Sequence, residues 1–464
     1  MSLIEHSNQS GLNKNAIIFL LDIVVFFVLL FVLPFDLKAN KGLALLVFIA
    51  VLWLTEALHV TITALLVPLL AIVLGLVTTK SALSAFADPT IFLFFGGFAL
   101  ATALHMQKLD RMIANKIMML AKGNLFLASV YLFSITAFLS MWMSNTATAA
   151  MMLPLAMGVL SQMDREKYHN TYVFILLGIA YSANIGGMGT LVGSPPNAIV
   201  ASQLKLTFSD WLAYGLPIML ILMPIMIGAL YIIFRPKLNV RFEEKFEKIE
   251  MNKPRLVTLA IFVVIALCWI FSGKINPLIA GAIGLQGKIA SFDSVVALLA
   301  AIVICATGVA TWKQIQDNTD WGVLMLFGGG LTLSAVLRDS GANKILADGI
   351  VFLIEGGHFY LIGLLVASFI IFLTEFTSNT ASAALLVPIF ISIAQSLGMP
   401  ELGLALIIGL GASCAFMLPV ATPPNAIVFG TGAIKQSEMV KAGVILNIIS
   451  IFIIATVGYL FWLH

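Results

Sequence analysis

Two repeated stretches decide how this chain folds. SNTATAA at residues 144–150 recurs, with one change, as SNTASAA at residues 378–384. Farther along, PPNAIV at residues 195–200 recurs letter for letter at residues 423–428. The order is the same in both halves, and the offset is 228 to 234 residues. Because matches of this length are improbable by chance, the chain contains an internal repeat.

The composition indicates a chain that lies mostly within a lipid bilayer. Of 464 residues, 61% are apolar and only 10% are charged, whereas a soluble domain carries about 25% charged residues. The same balance excludes intrinsic disorder. A net charge of +3 is too small to indicate a nucleic acid partner. The three cysteines lie far apart in apolar runs and predict no redox or metal site. We therefore predict an all-α polytopic membrane protein.

Ten apolar stretches are predicted to supply eleven membrane crossings, each of which takes about 20 residues. They lie at residues 17–34, 43–77 (two crossings), 89–105, 172–202, 211–234, 256–272, 295–311, 321–337, 402–426 and 442–463. Two further stretches, 124–160 and 359–395, are interrupted by the Ser-Asn-Thr clusters. Irregular backbone at membrane depth is tolerated only against protein or a wet cavity. Each is therefore predicted to be a re-entrant helical hairpin.

The basic residues predict the orientation. Residues 235–255 form the most polar stretch and are rich in Lys and Arg, which places this loop in the cytoplasm. Six crossings precede the loop and five follow it, so the N-terminus is predicted to be cytoplasmic and the C-terminus external. With the first crossing set aside, each half contains three crossings, a hairpin and two crossings. An odd number of crossings inverts the second half, and inverted repeats with broken helices are typical of secondary transporters.

The hairpin tips predict an anion site. A helix that begins at a tip presents free N–H groups and the positive end of its dipole. The tips add amide and hydroxyl donors from Asn145, Thr146, Asn379 and Thr380. Carbonyl groups freed where the preceding helix ends suit Na⁺. Ser and Asn are also common helix caps, but the doubling at membrane depth favours ligand binding.

The tandem prolines predict a break in the middle of two crossings. Proline removes backbone donors and disfavours helix before it, which leaves Ser194 and Thr422 at the breaks as caps or ligands. Symmetry then arranges both tips and both breaks around one cavity, where a dicarboxylate would be held between the two tips. No Lys or Arg lies near either tip in the sequence. Because a dianion in a neutral pocket is unfavourable, we expect co-bound cations.

Single ionisable residues leave alternatives open. Glu375 precedes the second tip and has Met141 as its counterpart. It is either a functional intramembrane carboxylate or a buried, hydrogen-bonded side chain outside the site. Glu56, His59 and His105 lie near the ends of crossings, where we predict structural or interfacial roles. The glycine pairs at residues 96–97 and 328–329 predict close helix packing.

The doubled tips, the Ser/Thr-Pro-Pro-Asn breaks and the sequence Thr374-Glu375-Phe376 resemble the divalent anion/sodium symporter family, and the resemblance covers nearly the whole chain. That family contains sodium-coupled dicarboxylate and citrate transporters. The resemblance implies a homodimer in the cytoplasmic membrane that works by an elevator mechanism. It implies a scaffold, a moving transport part and a cytoplasmic loop, with helical arms at the membrane interface. The scaffold would comprise residues 1–122 and 256–355, the transport part residues 123–234 and 356–464, and the loop residues 235–255.

The resemblance also implies residue roles. Its substrate-binding residues would be Asn145, Thr146, Ser194, Asn379, Thr380 and Thr422. Its first sodium site would contain Ser140, Ser144, Asn145 and Gly193. Its second sodium site would contain Thr374, Ser378, Asn379 and Ala421. No residue is assigned a catalytic role.

The expected activity is sodium-driven import of a C4-dicarboxylate such as succinate, malate or fumarate. Dicarboxylate exchange without Na⁺ remains open, because the family also contains such exchangers. Citrate, sulfate or another divalent anion also remains open as the substrate. An anion channel would need a continuous pore rather than two opposed hairpins. An intramembrane enzyme would need a nucleophile–base pair or a metal cluster, and the sequence contains neither His-Glu-x-x-His nor Gly-x-Ser-x-Gly.

Overall fold

The computed structural model describes residues 14–243, 248–354 and 358–463, with only the backbone for 350–354. Parts of the predicted scaffold, loop and transport part lie outside these residues, namely 1–13, 244–247, 355–357 and His464. Within the described residues the chain is helical, and the only β-pairing is a single bridge between Asn124 and Arg241. The predicted all-α class is confirmed.

The first half contains eleven α-helices within the described residues. They are α1 (Lys14–Val32), α2 (Leu37–Thr55), α3 (Val60–Val73), α4 (Thr79–Ser84), α5 (Pro89–Met106), α6 (Leu109–Met119), α7 (Leu125–Ser140), α8 (Asn145–Leu160), α9 (His169–Gly187), α10 (Pro195–Leu204) and α11 (Phe208–Phe234). A 3₁₀ turn, Ala85–Ala87, joins α4 to α5.

The second half again contains eleven α-helices within the described residues. They are α12 (Lys253–Ile270), α13 (Ser272–Ala282), α14 (Phe292–Ala306), α15 (Trp312–Asn318), α16 (Trp321–Ser340), α17 (Ala342–Ile354), α18 (Phe359–Leu373), α19 (Asn379–Ser396), α20 (Glu401–Gly411), α21 (Pro423–Phe429) and α22 (Gln436–Phe461).

Eight helical stretches of the described chain are long and apolar enough to cross a membrane. Seven of them correspond to predicted crossings, at α1, α2, α4–α5, α11, α12, α16 and α22. The eighth is α19, the second arm of a predicted hairpin. Two predicted crossings are shorter than expected, because α3 has 14 residues and α14 has 15. The chain is therefore a multi-pass membrane protein, whereas the count of eleven membrane crossings stays a prediction.

The predicted interruptions lie where the sequence indicates. Helix α8 begins at Asn145 directly after Ser144, and α19 begins at Asn379 directly after Ser378. The Ser144 hydroxyl accepts from the Ala147 N–H at 3.2 Å, and the Ser378 hydroxyl accepts from the Ala381 N–H at 3.4 Å. Both serines are thus N-caps, which satisfy one of the orphan donors at a helix start. The two long crossings break between α9 and α10 and between α20 and α21.

The two halves pack into each other rather than side by side. Helix α10 of the first half contacts α19 and α20, and α21 of the second half contacts α8 and α9. Two helix pairs, α5–α14 and α3–α16, also join the halves. A Cβ on Gly96 would lie 2.5 Å from the Ala297 carbonyl oxygen, and one on Gly329 would lie 2.5 Å from that of Ala64. The paired glycines therefore permit close packing, as predicted.

Candidate functional site: a central cavity between the repeats

A cavity of about 430 Å³ lies where the two hairpin tips meet the two breaks. We call it the central cavity. Its volume is within the range of small-molecule sites. Its lining includes all six residues that the sequence assigns to substrate, namely Asn145, Thr146, Ser194, Asn379, Thr380 and Thr422. Four of the eight predicted sodium ligands line it as well, in addition to the two asparagines: Ser144, Gly193, Ser378 and Ala421.

Behind each tip, a buried hydroxyl lies among oxygen atoms. The Ser140 hydroxyl is 2.6 Å from Asn145 Oδ1 and 2.7 Å from the Ala183 carbonyl oxygen. In the second repeat, the Thr374 hydroxyl is 2.6 Å from Asn379 Oδ1 and 3.0 Å from the Ala412 carbonyl oxygen. The carbonyl groups of Ala183 and Ala412 were not predicted. Nothing in an alanine side chain indicates such a role, because only the fold brings these carbonyls to the tips.

Glycine permits the close approach of the first tip to α9. A Cβ on Gly187 would lie 2.5 Å from Asn145 Oδ1. Any side chain at this position would displace the amide that faces the cavity. The absence of a side chain at Gly187 is thus a condition for the position of Asn145.

The asparagine of each Pro-Pro-Asn stretch holds its break together. Asn197 Nδ2 donates to the carbonyl oxygens of Gly187 and Thr190, at 2.8 and 2.7 Å. In the second repeat, Asn425 Nδ2 donates to the carbonyl oxygens of Ala415 and Leu418, both at 3.0 Å. These amides supply donors to carbonyl oxygens at the end of α9 and in the irregular connections that follow α9 and α20, where regular helical hydrogen bonding stops. The repeated Pro-Pro-Asn motif contained this signal, but no role was predicted for either asparagine.

The two breaks are not equivalent in their hydroxyl groups. The Thr422 hydroxyl accepts from the Asn425 N–H at 3.3 Å and from Asn184 Nδ2 at 3.1 Å. Thr422 is therefore a cap as well as a lining residue. Ser194 occupies the matching N-cap position but makes no side-chain cap bond. Its hydroxyl thus remains the more available of the two for a ligand.

Glu375 lies outside the central cavity and is fully buried. Its carboxylate accepts from the N–H groups of Phe416, Met417 and Leu418, at 2.7, 2.9 and 3.1 Å. It also accepts from Asn447 Nδ2 at 2.7 Å. Of the two interpretations left open by the sequence, the structure supports the second: Glu375 anchors the connection between α20 and α21.

The first repeat holds its connection differently. Met141 replaces Glu375, and its carbonyl oxygen accepts from the Thr190 hydroxyl instead. One carbonyl–hydroxyl contact here takes the place of a carboxylate with four donors. The repeats therefore build similar cavity walls with different supports.

Two carboxylates stand in the wall of the central cavity. Glu56 follows α2 with a left-handed backbone, φ 50°, and Asp320 is the N-cap of α16. The sequence predicted only a structural or interfacial role for Glu56, and Asp320 was not singled out. Lys and Arg are absent from the lining formed by the described residues. His59 matches its prediction, because its Nδ1 accepts from the Thr61 N–H at 3.3 Å and caps α3.

Comparison with known proteins identifies the family. A family model described as the sodium:sulfate symporter transmembrane region matches residues 14–464. The chain belongs to this family, the divalent anion/sodium symporters. The resemblance noted from the motifs is confirmed, and the family is one of transporters rather than enzymes.

Several relatives of this symporter-family chain are known. An uncharacterized transporter of Haemophilus influenzae is 81% identical over 97% of this chain and 98% of the relative. The uncharacterized transporter MJ0672 of Methanocaldococcus jannaschii is 39% identical over 91% of this chain and 94% of the relative. The sodium-dependent dicarboxylate transporter SdcS of Staphylococcus aureus is 33% identical over 97% of this chain and 90% of the relative.

A solved structure shares the fold. The crystal structure of the YdaH transporter of Alcanivorax borkumensis superposes with a TM-score of 0.54 at 13% identity. The superposition covers 82% of this chain and 87% of that one. At this identity the likeness concerns the fold alone.

Proposed function

We propose that this protein imports a C4-dicarboxylate, such as succinate, malate or fumarate, together with Na⁺. The observation that carries the proposal is the central cavity, which two amide-bearing helix starts line together without a Lys or Arg in the described lining. The SdcS relatives, which are sodium-dependent dicarboxylate transporters, support the substrate class and the coupling ion.

The tips would bind the carboxylates of the substrate. The helix starts at Asn145 and Asn379 offer backbone N–H groups, side-chain amides and the threonine hydroxyls that follow. The helices that follow the breaks, α10 and α21, begin with two prolines, which have no N–H group. The breaks therefore contribute the hydroxyl groups of Ser194 and Thr422 instead. One carboxylate per tip accounts for the symmetry, because each repeat then supplies the same donors.

The oxygen clusters behind the tips would bind the sodium ions. Each buried hydroxyl has a single hydrogen and yet lies within 3.0 Å of two acceptor oxygens. A cation among these oxygens would replace the missing donor. Since Asn145 and Asn379 use Oδ1 toward the cluster, their Nδ2 atoms are free to face the substrate. Binding of Na⁺ would thus orient the amide that binds the anion, which couples the two.

Charge balance favours co-transport over exchange. A dianion in a cavity that contains Glu56 and Asp320 meets negative rather than positive side chains. Two or more sodium ions would offset this repulsion. Exchange without Na⁺ would require another source of positive charge.

The proposed mechanism is an elevator with alternating access. The hairpins α7–α8 and α18–α19 would move with α9–α11 and α20–α22 against a dimeric scaffold. Helices α6 and α17, which contact α7 and α19, would be the arms that link the parts. An N-terminus in the cytoplasm, eleven crossings, a homodimer and a location in the cytoplasmic membrane complete the proposal.

Uptake by proteoliposomes tests the function. Radiolabelled succinate is offered to empty and to succinate-loaded vesicles, with and without an inward Na⁺ gradient. Concentrative, Na⁺-dependent uptake into empty vesicles is expected. Uptake only into loaded vesicles, regardless of Na⁺, would replace symport with exchange. Failure of succinate, with uptake of sulfate or citrate instead, would change the substrate.

A further inference from the structure

A second cavity, of about 470 Å³, lies between the start of α5, the turn before α11 and the start of α14. We call it the lysine cavity, because Lys205 and Lys288 line it. Under the proposed orientation, these three helix starts are at the external face. Leu191 of the α9–α10 connection lines the lysine cavity, whereas Gly193 and Ser194 line the central cavity. One short connection therefore separates the two.

The lysine cavity and the central cavity contain corresponding positions of the two repeats. Helices α3 and α14 begin at Val60 and Phe292, and α5 and α16 begin at Pro89 and Trp321, so one offset of 232 residues relates both pairs. Asp88 in the lysine cavity then corresponds to Asp320 in the central cavity. By the same offset, Lys288 corresponds to Glu56.

The carboxylates of the lysine cavity are already engaged. Asp88 accepts from the Thr90 N–H at 2.8 Å as the N-cap of α5. Asp293 accepts from the Phe208 N–H at 2.7 Å, at the start of α11. The positive ends of these helix dipoles offset the two negative charges.

The lysine amines have no such compensation. Among the described residues, neither Lys205 nor Lys288 has a side-chain hydrogen bond or an ion pair, and both are exposed. The excess charge of this cavity is therefore positive.

In the central cavity, the unbalanced charge is negative rather than positive. Asp320 is engaged like Asp88, because it accepts from the Val323 N–H at 3.1 Å. The Glu56 carboxylate is exposed and has no partner among the described residues. Glu56 in the first repeat and Lys288 in the second occupy corresponding positions, so the unbalanced charge is negative in the central cavity and positive in the lysine cavity.

We propose that the lysine cavity is a capture site for the dicarboxylate dianion on the external side, with Lys205 and Lys288 as the attracting groups. The negative charge of Glu56 repels the same dianion when it approaches from the cytoplasmic side. The inference rests on the proposed dicarboxylate transport. Clefts lined by one sign of charge raise the local concentration and the association rate of an oppositely charged substrate.

The test uses right-side-out membrane vesicles that contain the full-length protein, with succinate as the probe at saturating Na⁺. The variants are Lys205→Gln, Lys288→Gln and both together. With the sodium salt as the only electrolyte, each single change is expected to raise the external KM by roughly threefold and the double change by roughly tenfold, with kcat unchanged. Choline chloride at about 0.5 M should remove the difference, since such salt screens exposed charges.

Lys80→Gln is the matched control, because Lys80 is an exposed lysine of α4 under the same predicted orientation but does not line the cavity. Its KM should equal that of the unmodified protein. An equal rise in Lys80→Gln would overturn the proposal in favour of general surface charge. An unchanged KM in the double variant would also overturn it.

Inverted membrane vesicles test how succinate binds from the cytoplasmic side. Glu56→Gln should lower the KM for succinate from the internal side by roughly threefold, because one negative charge that repels the dianion is removed. An unchanged internal KM would contradict the assignment of Glu56. If the unmodified protein does not transport succinate, the proposed function fails; if it does and the lysine variants match it, only the capture site fails.

Discussion

Asn184 of the first repeat donates a hydrogen bond from Nδ2 to the Thr422 hydroxyl of the second repeat, at 3.1 Å. The same amide nitrogen lies 3.3 Å from Asn425 Oδ1. Asn184 also lines the central cavity. A residue of α9 therefore orients the break of the other repeat. Nearby, the Tyr181 hydroxyl donates to the Phe416 carbonyl oxygen at 2.7 Å, a second bond of this kind.

Asn184→Ala should weaken substrate binding without unfolding the protein. Loss of the amide leaves the Thr422 hydroxyl with only the Asn425 N–H as a donor among the described residues, and removal of one partner from a buried pair is unfavourable by about 1–3 kcal/mol. We expect succinate affinity to fall by about tenfold or more, measured by calorimetry on the purified protein. Asn170→Ala is the control on the same helix. Asn170 donates to the Phe234 carbonyl oxygen, and neither residue lines the central cavity. Equal affinities in the two variants would contradict a role for Asn184.

Asn145→Ala and Asn379→Ala should each abolish measurable succinate binding. Each asparagine offers one amide to the cavity and one oxygen to the buried hydroxyl behind it. Binding is measured by ligand-dependent thermal stabilisation, and folding by size-exclusion chromatography. Asn343→Ala serves as the control, because Asn343 bonds to Ser392 and does not line the central cavity. Intact binding in both tip variants would refute the assignment of the site.

Gly187→Ala should inactivate transport, because the added methyl group would lie 2.5 Å from Asn145 Oδ1. The first tip would have to move, and with it the oxygen that faces Ser140. Gly158→Ala in α8 provides a matched pair, since nothing lies within 4 Å of its new Cβ. Helix propensity alone favours that alanine by about 1 kcal/mol. Uptake should survive in Gly158→Ala and be lost in Gly187→Ala; equal uptake would show that the close approach at Gly187 is dispensable.

Glu375→Gln should reduce both stability and sodium affinity. A glutamine has one acceptor oxygen and would turn an NH₂ group toward backbone donors. Leaving such donors unsatisfied is unfavourable by about 2 kcal/mol or more. Thermal unfolding of the detergent-solubilised protein should therefore shift downward, and the Na⁺ concentration for half-maximal uptake should rise. Glu401→Gln is the control, because its exposed carboxylate bonds only to Gln395 within the part of the chain that the structure describes. A Glu375→Gln protein as stable as Glu401→Gln would contradict the anchoring role.

The sequence determined the elements of this fold that depend on local chemistry. Tandem proline interrupts a helix that precedes it and fits the first turn of the next one. Ser before Asn-Thr caps a new helix, so the breaks at residues 194 and 422 and the tips at residues 144 and 378 were predictable. The doubling of these motifs then predicted that they meet. The shortness of α3 and α14 was not visible, because apolar residues continue past the helix ends into packed turns.

The tertiary structure alone decided which distant groups support the site. The Ala183 and Ala412 carbonyls reach the tips, and Asn184 reaches Thr422, through contacts that no local pattern encodes. The sequence also predicted a carboxylate at membrane depth for Glu375. It did not indicate whether this carboxylate faces the central cavity or the backbone of residues 416–418. Side-chain identity and spacing act over one or two helical turns, whereas these contacts join residues 38 to 238 positions apart. Their existence depends on how the two repeats interlock.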